Sequence, residues 1–272
     1  MDKVKLILKK LYKIIRKQEM NILPGQLAFF LVLSIIPMLT LVAYLFTTFS
    51  ISIATISEFM IKSFPKEASE ILVPMLSPKG VAVNIASFMI IGFFVASNGT
   101  HSIILASNML YGTDTGNYAK QRIKAILMLI LLVILIASTA VVLAFSTTIM
   151  KTVMEFNLLY QFTDQIYVLI EILKWPISMG LIYFFIKVLY ALAPDTPIPS
   201  KYMSGGALIT TLGWSIATYI YSYYISNFAD YGLLYGSLSS IVILMIWVYV
   251  LSYIFVLGIA FSASNYKIEK DL

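Results

Sequence analysis

The chain has 272 residues, 60% of them hydrophobic and 12% charged, about half the charged share of a water-soluble domain, which is roughly 25%. Its mean hydropathy is +0.90, too apolar for life in water. With no cysteine and one histidine, disulfides, thiolate catalysis and Cys-based zinc or iron–sulfur sites are excluded, and the position of the charges must explain a net charge of +6.

The first predicted element, residues 1–20, is a basic amphipathic helix. Val4, Ile7, Leu8, Leu11, Ile14, Ile15 and Gln18 recur at helical spacing, while seven Lys and Arg occupy the remaining surface. Such a helix lies on the inner leaflet and takes anionic lipid as its partner. A nucleic-acid arm would leave the apolar stripe unexplained, so no nucleic-acid partner is expected. A cleaved signal peptide does not fit either, because the first apolar run is too long and no small-residue cleavage site follows it.

Crossing about 30 Å of hydrocarbon takes roughly 20 helical residues at 1.5 Å each. Met20 to Ser57, Gly80 to Thr113, Ala125 to Met150, Tyr202 to Ala229 and Tyr231 to Tyr266 carry no Asp, Glu, Lys or Arg. A sixth segment, Gln165 to Ala193, contains Glu171, Lys174 and Lys187, and its two lysines can snorkel to the interfaces. The predicted spans are residues 25–49, 81–110, 125–150, 170–193, 202–228 and 236–264. Loop charges alternate with them: one set of segments holds fourteen Lys and Arg, the other four, with Lys174 inside the fourth span. Positive loops stay inside, so both termini are expected in the cytoplasm.

The loop after the first span carries two short apolar stripes, Ile56, Phe59, Met60 and Phe64, then Ala68, Ile71, Leu72, Met75 and Leu76. Pro65 separates them and Pro74 lies near the end. Two helical pieces on the outer leaflet fit this pattern, either as a surface cap or as a re-entrant gate. No internal repeat appears, and the whole of 1–272 reads as one all-α integral membrane domain: six transmembrane helices, the basic N-terminal helix and short outer-surface helices.

Polar residues inside the spans are the candidates for function. In the second span Asn84, Ser87, Ile91, Phe94, Asn98, His101, Leu105 and Asn108 step by three and four and share one helix face. That face must turn into the bundle, either to fix packing through interhelical hydrogen bonds or to line a substrate cavity. Asn98 and Asn108 are then positioning groups, and His101 is the side chain that titrates nearest neutral pH. In the fifth span Thr211, Ser215, Thr218 and Ser222 repeat the pattern, with Trp214, Tyr221 and Tyr224 beside them as wall residues, although hydroxyls can also satisfy their own helix. Ser34 and Pro37 join the cavity candidates, since a proline inside the first span bends the helix or frees the carbonyl of residue 33. Glu171 and Lys174 are read as an interfacial pair, and Gly92 with Ala96, Gly213 with Ala217 and Gly258 with Ser262 as packing contacts.

No acidic cluster at metal-ligand spacing, Walker loop, nucleophile elbow or Rossmann fingerprint is present. No metal, cofactor or enzymatic activity is expected, and transport would proceed without an ATPase of the chain's own.

The ordered features resemble the YihY/BrkB family of bacterial inner-membrane proteins across about residues 20 to 265. The resemblance rests on the run Leu27 to Pro37, LAFFLVLSIIP, on Ala106 to Gly112, ASNMLYG, and on Arg122 in the following cytoplasmic loop. It continues through Pro194, Gly205, Gly206, Ala207, Trp214, Tyr224, Tyr235 to Leu238, Trp247 and Gly258. Many relatives carry an acidic residue shortly after the last glycine, where this chain has Ile259, Ala260 and Phe261. The resemblance implies a multi-pass protein of the bacterial cytoplasmic membrane. It also brings a ribonuclease label, against which the residue census argues, and an association with transport of lipids or amphipathic solutes or with envelope resistance. The expected function is movement of a small amphipathic or lipid-like substrate through an interior cavity. The alternative is a non-transporting scaffold serving envelope integrity, with tRNA-processing ribonuclease ranked last.

Overall fold

Charge-free runs longer than the hydrocarbon is thick leave the backbone one low-cost arrangement in lipid, hydrogen bonding to itself in helices. The computed structural model is helical accordingly, with no strand among the described residues, which are 12–48, 54, 57–58, 60–61, 65–75, 85–113, 116–155, 163–228, 235 and 238–270. In chain order the helices are α1 (Glu19–Thr48), α2 (Lys66–Met75), α3 (Ile85–Tyr111), α4 (Tyr118–Glu155), α5 (Thr163–Leu192), α6 (Met203–Phe228) and α7 (Ser239–Lys270), with a 3-10 turn at Ser200–Tyr202. Six of these run for 26 to 38 residues. Among the described residues, Tyr118–Thr139, Trp175–Leu192 and Ser239–Lys267 are long and apolar enough to cross a membrane.

Several helices outrun the apolar segments that announce them. Helix α4 begins at Tyr118 and α1 at Glu19, because Lys, Gln, Arg, Glu and Met are good helix formers outside the hydrocarbon. Arg122 therefore stands in the second turn of α4 and not in a loop. The predicted N-terminal helix falls mostly on residues 1–11, outside the described part. Residues 12–15 form one helical turn, and a break at 16–18 separates it from α1. Helix α1 runs through both Pro24 and Pro37 without ending. In the first loop Ile56, Phe59, Phe64 and Leu76 lie outside the described residues; within α2, Ala68, Ser69 and Leu72 are buried while Lys66, Glu70 and Pro74 are exposed.

The six long helices close a ring: α1 packs on α3, α3 on α4, α4 on α5, α5 on α6, α6 on α7, and α7 back on α1. Successive members are antiparallel. One end of the ring gathers the start of α1, the α3–α4 turn, the α5–α6 connection and the end of α7, as the edge-on contacts of Tyr266 with Tyr111 and Tyr202 show. Lys13, Arg16, Lys17, Lys120, Arg122, Lys124, Lys187, Lys201, Lys267 and Lys270 lie in these segments or in the helix turns adjoining them, and we call this the basic end. Helix α2 lies toward the other end, packed on α7 and α1.

Because lipid tails are as apolar as leucine, helices in a membrane adhere by close packing and hydrogen bonds. Small residues mark the crossings. A side chain on Gly206 would run into the Gly258 carbonyl, and one on Gly258 into Thr210, Tyr190 and the Gly206 carbonyl, so α6 and α7 meet backbone to backbone. Tyr190 closes the same joint from α5, its hydroxyl bonding Thr210 Oγ1 at 2.6 Å and donating to the Phe255 carbonyl at 2.7 Å. On the opposite side Ser34 donates to the carbonyls of Phe30 and Ala96, at 2.6 and 3.0 Å, beside Gly99.

Candidate functional site

Two apolar clusters fill the ring, one toward the basic end and one toward α2. Where they meet they leave a cavity of about 200 Å³. Leu27, Leu31, Ser34, Ile35, Met38 and Leu39 of α1 form one wall, and Trp247, Val248, Leu251, Ser252 and Phe255 of α7 form the facing one. Ile103, Leu132, Ile136 and Trp214 line the space between these walls, and Met60 and Leu72 line it on the α2 side. Both tryptophans present hydrocarbon to the space and spend their N–H groups elsewhere: Trp214 donates to the Leu251 carbonyl at 2.8 Å and Trp247 to Thr218 Oγ1 at 3.3 Å. Trp214 also stacks on Phe255, their planes 24° apart. Ser252 Oγ is buried without a hydrogen-bond partner. A space this apolar stays dry and admits hydrocarbon.

The amide stripe of α3 does something else. It faces the α4 and α5–α6 segments at the basic end, and its centre is Asp195. Helix α3 ends in a Schellman turn, Thr113 N–H to the Asn108 carbonyl at 3.0 Å and Gly112 N–H to the Met109 carbonyl at 3.2 Å, with Gly112 at φ +68°, where a side chain would be strained. Asn117 then caps α4, accepting the Ala119 N–H at 2.8 Å. On α5, Pro194 ends the helix and leaves carbonyls open. Lys124 Nζ donates to two of them, Ala193 and Pro194, at 3.0 Å each, and pairs with Asp195 Oδ1 at 2.6 Å. The second oxygen of Asp195 accepts from Asn108 Nδ2 at 2.7 Å, from Gly116 N–H at 3.0 Å and from Gln121 Nε2. Asn108 Oδ1 returns a bond from the Asp195 N–H at 2.8 Å and takes the Thr113 hydroxyl at 3.0 Å. Burial alone would raise the Asp195 carboxyl, but Lys124, Gln121, the Gly116 N–H and Asn108 together hold it well below the usual carboxylate range.

Farther along α3, His101 Nε2 lies 3.4 Å from Gln121 Oε1 and its ring meets Tyr118 edge-on. Thr100 donates to the Ala125 carbonyl at 2.6 Å. Asn98 accepts from Arg122 at 2.8 Å.

Of the ten residues expected around an interior path, Ser34 and Trp214 line the cavity. Asn98, His101 and Asn108 stand apart from it in the hydrogen-bonded lattice just described. Pro37 is half-buried against Gly92. Thr211 and Ser215 spend their hydroxyls on the carbonyls of Ala207 and Thr211 in their own helix, at 2.9 and 3.0 Å, and Thr218 serves Trp247. Tyr224 is on the exposed face of α6. Helix periodicity misses Asp195, Lys124 and Gln121, since each belongs to a connection or a helix start; the signal available was a lone acid between Pro194 and Pro197 in an otherwise basic segment. No signal marks Ser252 or Phe255, which sit in an unbroken apolar run.

Among the described residues no group of three or more His, Asp or Glu is placed to hold a metal ion. The profile of a family described as "Virulence factor BrkB" matches residues 11–271. The chain is 27% identical to the "Putative ribonuclease-like protein YfkH" of Bacillus subtilis (strain 168), covering 97% of this chain and 96% of that one. It is 25% identical to a "UPF0761 membrane protein" of Vibrio atlanticus (strain LGP32), covering 90% and 78%. No solved structure matches it. The chain belongs to the BrkB family of membrane proteins.

Proposed function

We propose that this protein carries an amphipathic, lipid-like substrate across the cytoplasmic membrane, lodging the hydrocarbon part in the cavity between α1 and α7. The observation that carries this reading is the cavity itself: about 200 Å³ walled by α1, α3, α4, α6 and α7, almost wholly in hydrocarbon, with Met60 and Leu72 lining it on the α2 side. A void of this kind forfeits dispersion contacts along its whole lining, a standing cost that an occupant removes. The chain works as a six-span protein with both termini in the cytoplasm, because the basic end holds most of the described Lys and Arg and positive segments stay inside. It is not an enzyme in this reading. A sequence with one histidine and no cysteine offers little for metal-assisted cleavage of RNA, and the ribonuclease-like name remains that of the Bacillus relative.

Purified protein in liposomes should move fluorescent lipid between leaflets, and Ser252→Leu, which fills the void with a branched hydrocarbon side chain, should abolish the movement while leaving thermal stability equal or higher. Vesicles that move no lipid or amphipathic solute, with or without an ion gradient, sink the carrier reading. A scaffold is the second reading, and the saturated lattice around Asp195 favours it: amides that fix helices to each other need no substrate. It predicts that Ser252→Leu is silent in cells while disruption of the lattice is not.

A further inference from the structure

Among the described residues, Arg122 is a buried cation without a counter-ion. It is 8% exposed, within one helical turn of Gln121 and Lys124, whose partners are all accounted for by Asp195, His101 and the end of α5. Its own partners are neutral: Nη1 donates to Asn98 Oδ1 at 2.8 Å and Nη2 to the Phe94 carbonyl at 2.6 Å, while the guanidinium lies over the Phe94 ring, 3.7 Å from its centroid. The third nitrogen, Nε, is buried with no hydrogen-bond partner. Asp195, the carboxylate nearest in chain contacts to this part of α4, is saturated by Lys124, Asn108, Gln121 and the Gly116 N–H.

A buried guanidinium cannot shed its proton to escape the cost of burial. An orphaned one held by one amide, one carbonyl and one ring face has donors to spare, and its fork matches an oxyanion. The surroundings say where such an anion comes from. Phe94, which covers the guanidinium, is exposed, as are Tyr118, Ile123 and Leu127 of α4, so this flank of α3 and α4 presents an apolar outer surface beside the basic end. We propose that Arg122, with Asn98 as its positioning residue, forms a binding site for a phosphate oxyanion, supplied by an anionic phospholipid that enters between α3 and α4 as the Phe94 ring swings aside. The site is separate from the hydrocarbon cavity and does not depend on whether anything is transported.

The test is thermal unfolding of the full chain in phosphatidylcholine nanodiscs, titrated with dioleoyl phosphatidate in one arm and with inorganic phosphate in the other. Phosphatidate should raise the midpoint of the wild type. Arg122→Gln should bind about tenfold to a hundredfold more weakly, the effect of one or two charge-assisted hydrogen bonds, and Arg122→Lys should keep part of the response. A response to inorganic phosphate alone, lost in Arg122→Gln, supports the oxyanion site with free phosphate as the source. Asn98→Asp is the independent variant, in case loss of the arginine prevents folding: a carboxylate beside Nη1 supplies a resident counter-ion, so basal stability should hold or rise while the response to added anion disappears. Equal stabilisation of wild type, Arg122→Gln and Asn98→Asp, or no stabilisation of the wild type by either titrant, overturns the proposal.

Discussion

Asp195 accepts hydrogen bonds from four donors on the one stretch from Asn108 to Lys124 and thereby pins the α3–α4 turn to the α5–α6 connection. Asp195→Asn keeps the shape but loses the ion pair with Lys124 and turns an acceptor into a donor facing donors. We expect a loss of about 2 kcal/mol, the scale of hydrogen bonds to charged groups, seen as a lower unfolding midpoint in mild detergent. The pH dependence has a definite sign. A carboxyl held below its ordinary value contributes stability that is complete above the unfolded value of about 3.9 and is lost as pH falls toward the folded one. The gap between wild type and Asp195→Asn should therefore stay constant from about pH 8 to about pH 5 and narrow below about pH 4. A gap already closing near neutral pH would mean that another group, not Asp195, supplies the difference.

Helix pairs test the packing argument, because the same substitution has opposite outcomes at different glycines. Gly206 and Gly258 form the crossing of α6 and α7, where an added methyl meets backbone and the Thr210 and Tyr190 hydroxyls. Overpacking of this sort costs about 1 to 3 kcal/mol or more, so Gly206→Ala and Gly258→Ala should each lower the thermal midpoint and loosen the Tyr190–Thr210 bond. At Gly25 in α1 and Gly180 in α5 an added methyl would meet nothing within 4 Å. There alanine should be neutral or raise stability by up to about 1 kcal/mol, the ordinary difference in helix propensity. If all four variants behave alike, close approach of the backbones is not what holds α6 to α7. The fifth-span hydroxyls carry a related lesson: Thr211 and Ser215 look like a polar stripe in sequence, yet Thr211 bonds back to its own helix and Ser215 divides between the Thr211 carbonyl and Met179 Sδ of α5.

At the scale of the molecule the ring of six helices joins two regions of different chemistry, a dry space between α1 and α7 and a charged lattice at one end. Orientation decides which side of the membrane that lattice faces. A chain without cysteine makes the measurement direct, since any single cysteine is the sole target of a thiol reagent. Ser200→Cys, in the α5–α6 connection, should react with an impermeant maleimide in inverted vesicles and stay protected in intact cells, and Glu70→Cys, on the exposed side of α2, should do the reverse. Labelling of both from the same side would remove the six-span topology. In each case the starting residue is exposed, so failure to react reports the side and not burial.

How much of this could be read without coordinates depends on the range of the interaction. Helix content and the rough places of the long helices follow from composition and spacing, because a backbone in hydrocarbon must satisfy itself locally, whereas their ends, as at Tyr118, do not. That Asn98, His101 and Asn108 share a face was equally legible from their steps of three and four. What that face meets was not: Asn108 finds Asp195 eighty-seven residues away, and no local pattern ranks that partner above a water-filled path. The cavity is more remote still, since its walls at Leu31, Ile136 and Phe255 are ordinary apolar residues whose neighbours are fixed only when α7 closes against α1. Helices are decided by bonds between residues four apart, whereas a void, or an Arg122 with no counter-ion among the described residues, exists only as what is left over once every helix has been packed.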